Sequence, residues 1–241
     1  MQPDLSLIIP ALNEEQNLRS LVEKLETMLD ENNLSAEILI VDDCSDDYTF
    51  KEALELEKQH SRVRALHKGL PRGIGGGIGY GIARAQGRMG VVVMGDGVDP
   101  IETIPEFKKK ILDEGNHLAL LSRYMAPEDS HTIPLAYKIC HSGFRFCSRL
   151  LIGIELKDMT YAYRAFDLSY VKNLNLESKG FEISPEITLK TFLYKGRICE
   201  IKGSQGRRIK GESKFTFTKS GPGYIRILTK ALIYRLAKKW I

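Results

Sequence analysis

Residues 91–100 read VVVMGDGVDP: four apolar residues that stop at Gly95 and run into Asp96 and, three positions later, Asp99. A short apolar run bounded by glycine has the pattern of a fully buried strand that opens into a polar loop. The same pattern recurs on both sides of it. LSLIIP (5–10), EILIVDD (37–43) and RVRAL (62–66) precede it, and LALLS (118–122) follows. Helical segments lie between these runs. Leu18, Leu21, Val22, Leu25, Met28 and Leu29 share one helical face, YTFKEALELEKQH spans 48–60, a helix runs on to about Gln86, and another covers Ile101 to Asp113. Nearly all-apolar strands alternating with helices predict an α/β fold, with a mostly parallel, Rossmann-like sheet covered by helices on both faces. Residues 123–241 break the rhythm, with helices predicted at 134–151, 183–194 and 222–240 and a strand at 197–202. The expected organisation is one α/β domain over residues 1–215 and a C-terminal amphipathic helical extension over 216–241.

The chain has 241 residues, 43% of them apolar, enough to bury a sizeable core. Its formal charge of +4 is unevenly spread. Residues 197–241 carry twelve Lys and Arg against Glu200 and Glu212, a local +10 that leaves −6 for residues 1–196. That asymmetry points to an anionic partner near the C-terminal end. Cys44, Cys140, Cys147 and Cys199 form no CxxC pair and read as reduced thiols. With no run of about 18 apolar residues, the expected location is cytoplasmic, peripheral on the inner face of a membrane. No nucleic acid partner is expected, and self-association into a homo-oligomer is left open.

In open parallel sheets ligands bind beyond the carboxyl ends of the strands, and here the polar clusters fall there. The first strand ends in PALNEE, the second in DDCSDD, the fourth in GDGVD and the fifth in SRY. A carboxylate at the position of Asp42 can accept hydrogen bonds from a base or a ribose, whereas Ser45 to Asp47 read as a turn that caps the next helix. The glycine stretch GIGGGIGYG (73–81) satisfies neither G-x-G-x-x-G nor a P-loop. Two readings stay open for it: close helix–sheet packing, or backbone N–H groups facing a phosphate together with Lys68 and Arg72. Asp96 suits Mg²⁺ or Mn²⁺, since such hard cations need only one or two carboxylates beside water and phosphate oxygens. Asp99-Pro100 reads as a helix N-cap followed by proline. In GRRIKGESKF (206–215), cations interleaved with glycine and serine suit a loop that closes over a diphosphate.

Together these stretches resemble glycosyltransferase family 2, with the GT-A fold, and most resemble its polyprenyl/dolichyl-phosphate sugar transferase branch. The matching pieces are LSLIIPALNEEQNL, EILIVDDCSDD, RGIGGGIGYGIARAQG, VVVMGDGVDPIETIPEF, LLSRY, KDMTYAYRAF, GFEISPEITLK and RRIKGESKF, in family order over residues 5–215. The resemblance implies that Pro10, Glu14 and Asp42, with Asp43 beside them, line the nucleotide pocket. It implies that Asp96 is the metal-binding acid of the family's D-x-D, and that Arg208 and Lys214 grip the donor diphosphate. It puts Arg123 at donor or acceptor phosphate, Asp158, Thr160 and Arg164 near the transferred sugar, and Glu182 and Glu186 on a helix close by. Two departures stand out: Met94-Gly95-Asp96 replaces Asp-Ala-Asp of mannose-transferring members, and Leu12 replaces the aromatic of P-x-Y-N-E.

The implied chemistry is inverting transfer of a hexose from a GDP- or UDP-linked donor. The acceptor most in keeping with the resemblance is a polyprenyl or dolichyl phosphate, held by Arg123 and Lys138. A phosphate monoester with a second pKa of about 6 is largely ionised at neutral pH and needs no strong general base. For a sugar hydroxyl acceptor, Asp158 is the candidate base. YIRILTKALIYRLAKKWI (224–241) sets Ile225, Leu228, Leu232 and Leu236 on one stripe among cations, which suits either an anionic membrane surface or packing on the domain. Two other classes remain at this stage: a nucleotide-sugar-binding module without catalysis, and a sugar nucleotidyltransferase. The latter calls for a glycine-rich signature after strand one, where this chain has ALNEEQN.

Overall fold

A computed structural model of the chain describes residues 2–206, 217–238 and 240. Seven strands form one sheet: β1 (Leu5–Ala11), β2 (Ala36–Asp42), β3 (Val63–His67), β4 (Met89–Val92), β5 (Leu118–Ser122), β6 (Arg164–Asp167) and β7 (Ile198–Lys202). Their order is β3-β2-β1-β4-β6-β5-β7. Only β6 runs against the rest, pairing antiparallel with β4 and β5, so the sheet is mostly parallel.

The helices cover both faces. Strand side chains alternate, so that Leu5, Leu7 and Ile9 of β1 bury against α1 (Leu18–Glu31), α2 (Thr49–Gln59) and α4 (Ile104–Lys108). Ile8 buries on the opposite face with α3 (Ile74–Arg84), α6 (Leu168–Lys172) and α7 (Ile183–Leu193). Glycine brings α3 unusually close: a Cβ on Gly81 would meet Ile8 Cγ2 at 2.4 Å, and one on Gly75 would meet the Gly180 carbonyl at 2.6 Å. A third cluster joins α5 (Leu135–Ile152), α7 and α8 (Phe217–Ala237) through Ile152, Leu189, Ile227 and Ala231.

The structure differs from the sequence reading at three points. β6 was not expected; it is four residues long and opens on a buried arginine, so no apolar period announces it. The segment 101–113 is not one α-helix but a 3₁₀ turn, the short α4 and a π-helical turn in succession. Asp99 caps no helix: the turn that follows starts after Pro100 without a side-chain cap. Asp99 instead turns inward, accepting from Met94 N at 2.6 Å and Tyr161 Oη at 2.5 Å. The bond to Met94 spans the loop and ties its end back to the strand.

Candidate active site

The register of the first three strands aligns Ala11, Asp42 and His67 across the carboxyl edge of the sheet. Asp42 is buried, accepting from Ser45 N at 3.2 Å and sharing a 2.7 Å bond with His67 Nδ1. Beyond this edge the turns after β1 and β2 pass through left-handed residues, Asn13 (φ 53°) and Cys44 (φ 60°), and are stitched together by Asn13 N donating to Ser45 Oγ. Glu14 is buried beside them and accepts from Asn17 Nδ2 at 2.7 Å.

Gly95 carries the β4 loop onto the same place. A Cβ there would lie 3.2 Å from the Pro10 carbonyl and 3.4 Å from Glu14 Cγ. A side chain there would be tightly packed against β1, so glycine lets the loop that carries Asp96 lie close to it. Asp96 is half-buried, with Val98 N at 3.4 Å from Oδ1. Pro10, Glu14, Asp42 and Asp96 therefore all lie at the carboxyl edge of β1, β2 and β4.

Asp43 and Arg72 each have a partner within the protein. Lys68 Nζ sits 2.7 Å from Asp43 Oδ1, and Gly73 N donates to Oδ2 at 2.6 Å. Asp43 thus anchors the glycine-rich stretch to β2. Gly76 N, near the start of α3, donates to the Lys179 carbonyl. With these donors used inside the protein, the glycines serve close packing. The Arg72 guanidinium pairs with Asp46, both well exposed.

A second group adjoins the first through the Asp96–Asp99 loop. Buried Arg123, just past β5, grips Asp158 through Nε (2.7 Å) and Nη2 (3.2 Å), and its backbone N–H reaches the same carboxylate at 3.3 Å. Nη1 donates to Gln205 Oε1 at 3.0 Å. The guanidinium lies 4.1 Å over the Tyr161 ring, and Tyr161 in turn donates to Asp99. Thr160 adds two bonds to Asp158 Oδ1, at 3.1 and 3.3 Å. Burial would raise the Asp158 pKa, but the charge and hydrogen bonds of Arg123 outweigh it and hold the carboxyl below its usual range. For Asp99 burial wins, and its carboxyl is pushed up to about 7. His141 of α5 shares a 2.6 Å bond with Tyr124 Oη; burial and the nearby Arg123 charge lower its pKa to about 4, so the ring is neutral at physiological pH.

The remaining expected residues fall into structural places. Arg164 is fully buried, donating to the carbonyls of Ser184 (2.6 Å), Met159 and Tyr161 and to Thr188 Oγ1 (2.9 Å), which fixes the 158–161 turn against α7. Burial lowers its pKa to about 10. Glu186 pairs with Lys190 at 2.8 Å and accepts from Glu177 N and Ser178 N. Glu182 lies 3.6 Å from Arg226 of α8. Arg208 and Lys214 lie outside the described residues. The chain leading to them is anchored at the site, because Gly206 N donates to the Val98 carbonyl at 2.8 Å. The sequence reading gave no role to His67, Tyr124, His141, Tyr161 and Gln205; of these, Tyr124 in the strand ending SRY and His67 just past the third strand occupy strand-end positions that the sequence could have flagged.

Among the described residues no three His, Cys, Asp or Glu side chains group as a metal cage. Of the two acids in the loop after β4, Asp99 is buried with both oxygens accepting hydrogen bonds, whereas Asp96 is half-buried, which makes Asp96 the acid of this loop that an ion could reach. One hard oxygen ligand fits a Mg²⁺ or Mn²⁺ ion that arrives with a diphosphate, and Met94, a soft thioether, adds nothing to it.

This sheet, with its polar crevice at the carboxyl edge, defines the chain as a GT-A-fold protein. Glucosyl-3-phosphoglycerate synthase from Mycobacterium tuberculosis, solved with Mn²⁺, UDP and phosphoglyceric acid, superposes with a TM-score of 0.68 at 18% identity, covering 98% of this chain and 79% of that one. The chain belongs to the family "Glycosyl transferase family 2", whose model matches residues 6–174. It is 30% identical over 211 residues to a dolichol-phosphate mannosyltransferase of Pyrococcus furiosus, covering 87% of this chain but only 58% of that relative. It is 29% identical over 197 residues to a UDP-N-acetylglucosamine–dolichyl-phosphate N-acetylglucosaminyltransferase of Methanococcus voltae, covering 75% of this chain and 76% of that protein.

Proposed function

We propose that the chain is an inverting glycosyltransferase that moves a hexose from a GDP- or UDP-linked donor to a polyprenyl or dolichyl phosphate. Pro10, Glu14 and Asp42 line the nucleoside end of the crevice, and Asp96 stands where the diphosphate lies. Asp96 would hold a Mg²⁺ or Mn²⁺ ion, which when bound neutralises charge on the departing diphosphate. Arg208 and Lys214 stabilise the same group from the segment that begins at Gly206.

The observation that carries the choice of acceptor is the Arg123–Asp158 pair. A general base for a hydroxyl acceptor needs a carboxylate free to take a proton, and Asp158 is held ionised and doubly bound by Arg123. A phosphate acceptor arrives ionised and asks only for positioning and charge. Arg123 supplies that charge, with a phosphate oxygen taking the place of Gln205 on Nη1. The relatives named for dolichyl-phosphate transfer support this reading, as does the +10 charge of residues 197–241.

A thermal-shift panel of UDP, GDP and their hexose derivatives with Mn²⁺ or Mg²⁺ tests the donor half. Transfer of labelled sugar to a polyprenyl phosphate tests the acceptor half. Stabilisation by one nucleoside diphosphate followed by transfer is expected; absence of any nucleotide response would sink the reading. Nucleotide binding with no transfer to any lipid phosphate would favour a binding module without catalysis.

A further inference from the structure

The carboxyl edge of β2 and β3 carries a Cys–His–Asp arrangement whose cysteine and histidine the proposed transfer leaves without a role. Asp42 and His67 are register partners on adjacent strands, so their side chains meet on one face of the sheet edge. His67 Nδ1 lies 2.7 Å from Asp42 Oδ2, and the imidazole centroid is 5.0 Å from that of the Phe50 ring at the start of α2. Cys44 follows Asp42 by two residues in the left-handed conformation (φ 60°), uncommon for a residue other than glycine. The chain turns back there, and Cys44 Sγ stands 3.9 Å from His67 Nε2.

The chemistry follows from the order of these contacts. A carboxylate on Nδ1 selects the tautomer that carries its hydrogen there, so Nε2 keeps a lone pair for the thiol proton. Asp42 is 1% exposed, and its other oxygen accepts from Ser45 N, which fixes the acid that orients the ring. A nucleophile, a base within reach of it and a third group that orients the base are the parts of an activated cysteine, with spacings that are often looser before a reactant binds. The other thiols lack this arrangement. Among the described residues Cys44 is the one cysteine hydrogen-bonded to an imidazole, although it is only partly exposed and Cys140 is the more open to solvent. Burial pushes the Cys199 thiol up to about 11.

We propose that Cys44 is a nucleophilic thiol, a modification site that low-molecular-weight disulfides cap. His67 Nε2 takes the thiol proton as Sγ attacks one sulfur of the disulfide. A bond forms between Sγ and that sulfur, the S–S bond of the reagent breaks, and the departing thiolate takes the proton from His67. A thiol and a disulfide go in and a thiol and a disulfide come out, so no further oxidant is needed, and a free thiol reverses the step. The consequence for transfer rests on the donor reading. A group on Sγ stands two residues from Asp42 and against the ring bonded to it, so cap and nucleoside exclude each other.

Alkylation of the full chain with iodoacetamide, each cysteine followed by peptide mass spectrometry, tests the thiol. Accessibility alone would label Cys140 first. The proposal expects Cys44 to react about tenfold or more faster than Cys140, and His67→Gln to remove that advantage while leaving the Cys140 rate unchanged. With oxidised glutathione, wild type is expected to gain a glutathione at Cys44 that dithiothreitol releases, and Cys44→Ser to lose that adduct. Labelling of Cys44 no faster than that of Cys140, or fast labelling that His67→Gln leaves intact, would overturn the proposal, and the wild-type comparison decides without the variant should His67→Gln fail to fold. Thermal shifts with UDP and GDP separate the thiol from the donor reading. Loss of the nucleotide response on capping supports the exclusion, and an equal response in capped and reduced protein overturns it. Fast, His67-dependent labelling in a protein with no nucleotide response defeats only the donor reading.

Discussion

The two sides of the crevice hold their charges by different means. On the β1–β2 side, Asp42 rests on a backbone N–H and an imidazole at the sheet edge, and the positions of Pro10, Glu14 and Asp96 follow from strand register and one close-packed glycine. On the β5 side, Arg123 and Asp158 are both buried and depend on each other, with Tyr161, Asp99 and Gln205 arranged around them. The first side is made by the regular fold. The second is an ionic network that the fold encloses, and its parts cannot be removed singly.

The largest expected effect breaks that network. Asp158→Asn or Arg123→Met should each cost roughly 3–5 kcal/mol, because the surviving partner stays buried and uncompensated. Replacing both with apolar residues should recover most of the stability while abolishing transfer. Urea denaturation of the three variants measures this, and a loss in the double variant equal to the sum of the two single losses would show that the pair is not a unit.

Next in size is a pH effect that separates Asp99 from His141. The Asp99 pKa rises from 3.8 to about 7, so between those values the folded state keeps a proton that the unfolded chain has released. Its contribution makes stability fall as pH rises across that range. His141 falls from 6.5 to about 4, so there the unfolded chain holds the extra proton and stability rises with pH from 4 to 6.5. The two slopes oppose each other, each at most about 1.4 kcal/mol per pH unit. Asp99→Asn should leave a rising profile and His141→Gln a falling one, read by denaturation at pH 4.5, 5.5 and 6.5. Identical profiles in the two variants would contradict the burial assigned to both groups.

The smallest effect concerns Arg72. Its pairing with exposed Asp46 predicts that Arg72→Ala leaves the melting temperature and nucleoside diphosphate affinity unchanged. A tenfold loss of affinity would instead place Arg72 at the donor phosphate, as the sequence reading expected.

The same contrast explains what the sequence disclosed. The first five strands, the first three helices between them and the clustering of acids at strand ends were legible because apolar periodicity and strand-end chemistry are local. Asp99 was misread because D-P before a helical segment looks like a cap, and only a tyrosine 62 residues away, packed against it, reveals a buried acid. β6 was invisible for a related reason: the two Nη groups of Arg164 are bonded to carbonyls from α7 and the 159–161 turn, which no local pattern encodes. The glycine stretch left two readings, and the close approach to Ile8 and Gly180 decides for packing. α5 was legible as a helix, but which of its faces stays uncovered depends on where α7 and α8 settle.

Calorimetric titration of UDP and GDP into wild type and Asp96→Ala, with and without Mn²⁺, tests the central claim most directly. The account predicts that one nucleoside diphosphate binds wild type more tightly with the metal, and that Asp96→Ala loses this metal-dependent gain while its melting temperature stays close to that of wild type. Equal metal dependence in both proteins, or no nucleotide binding by wild type at all, would contradict it.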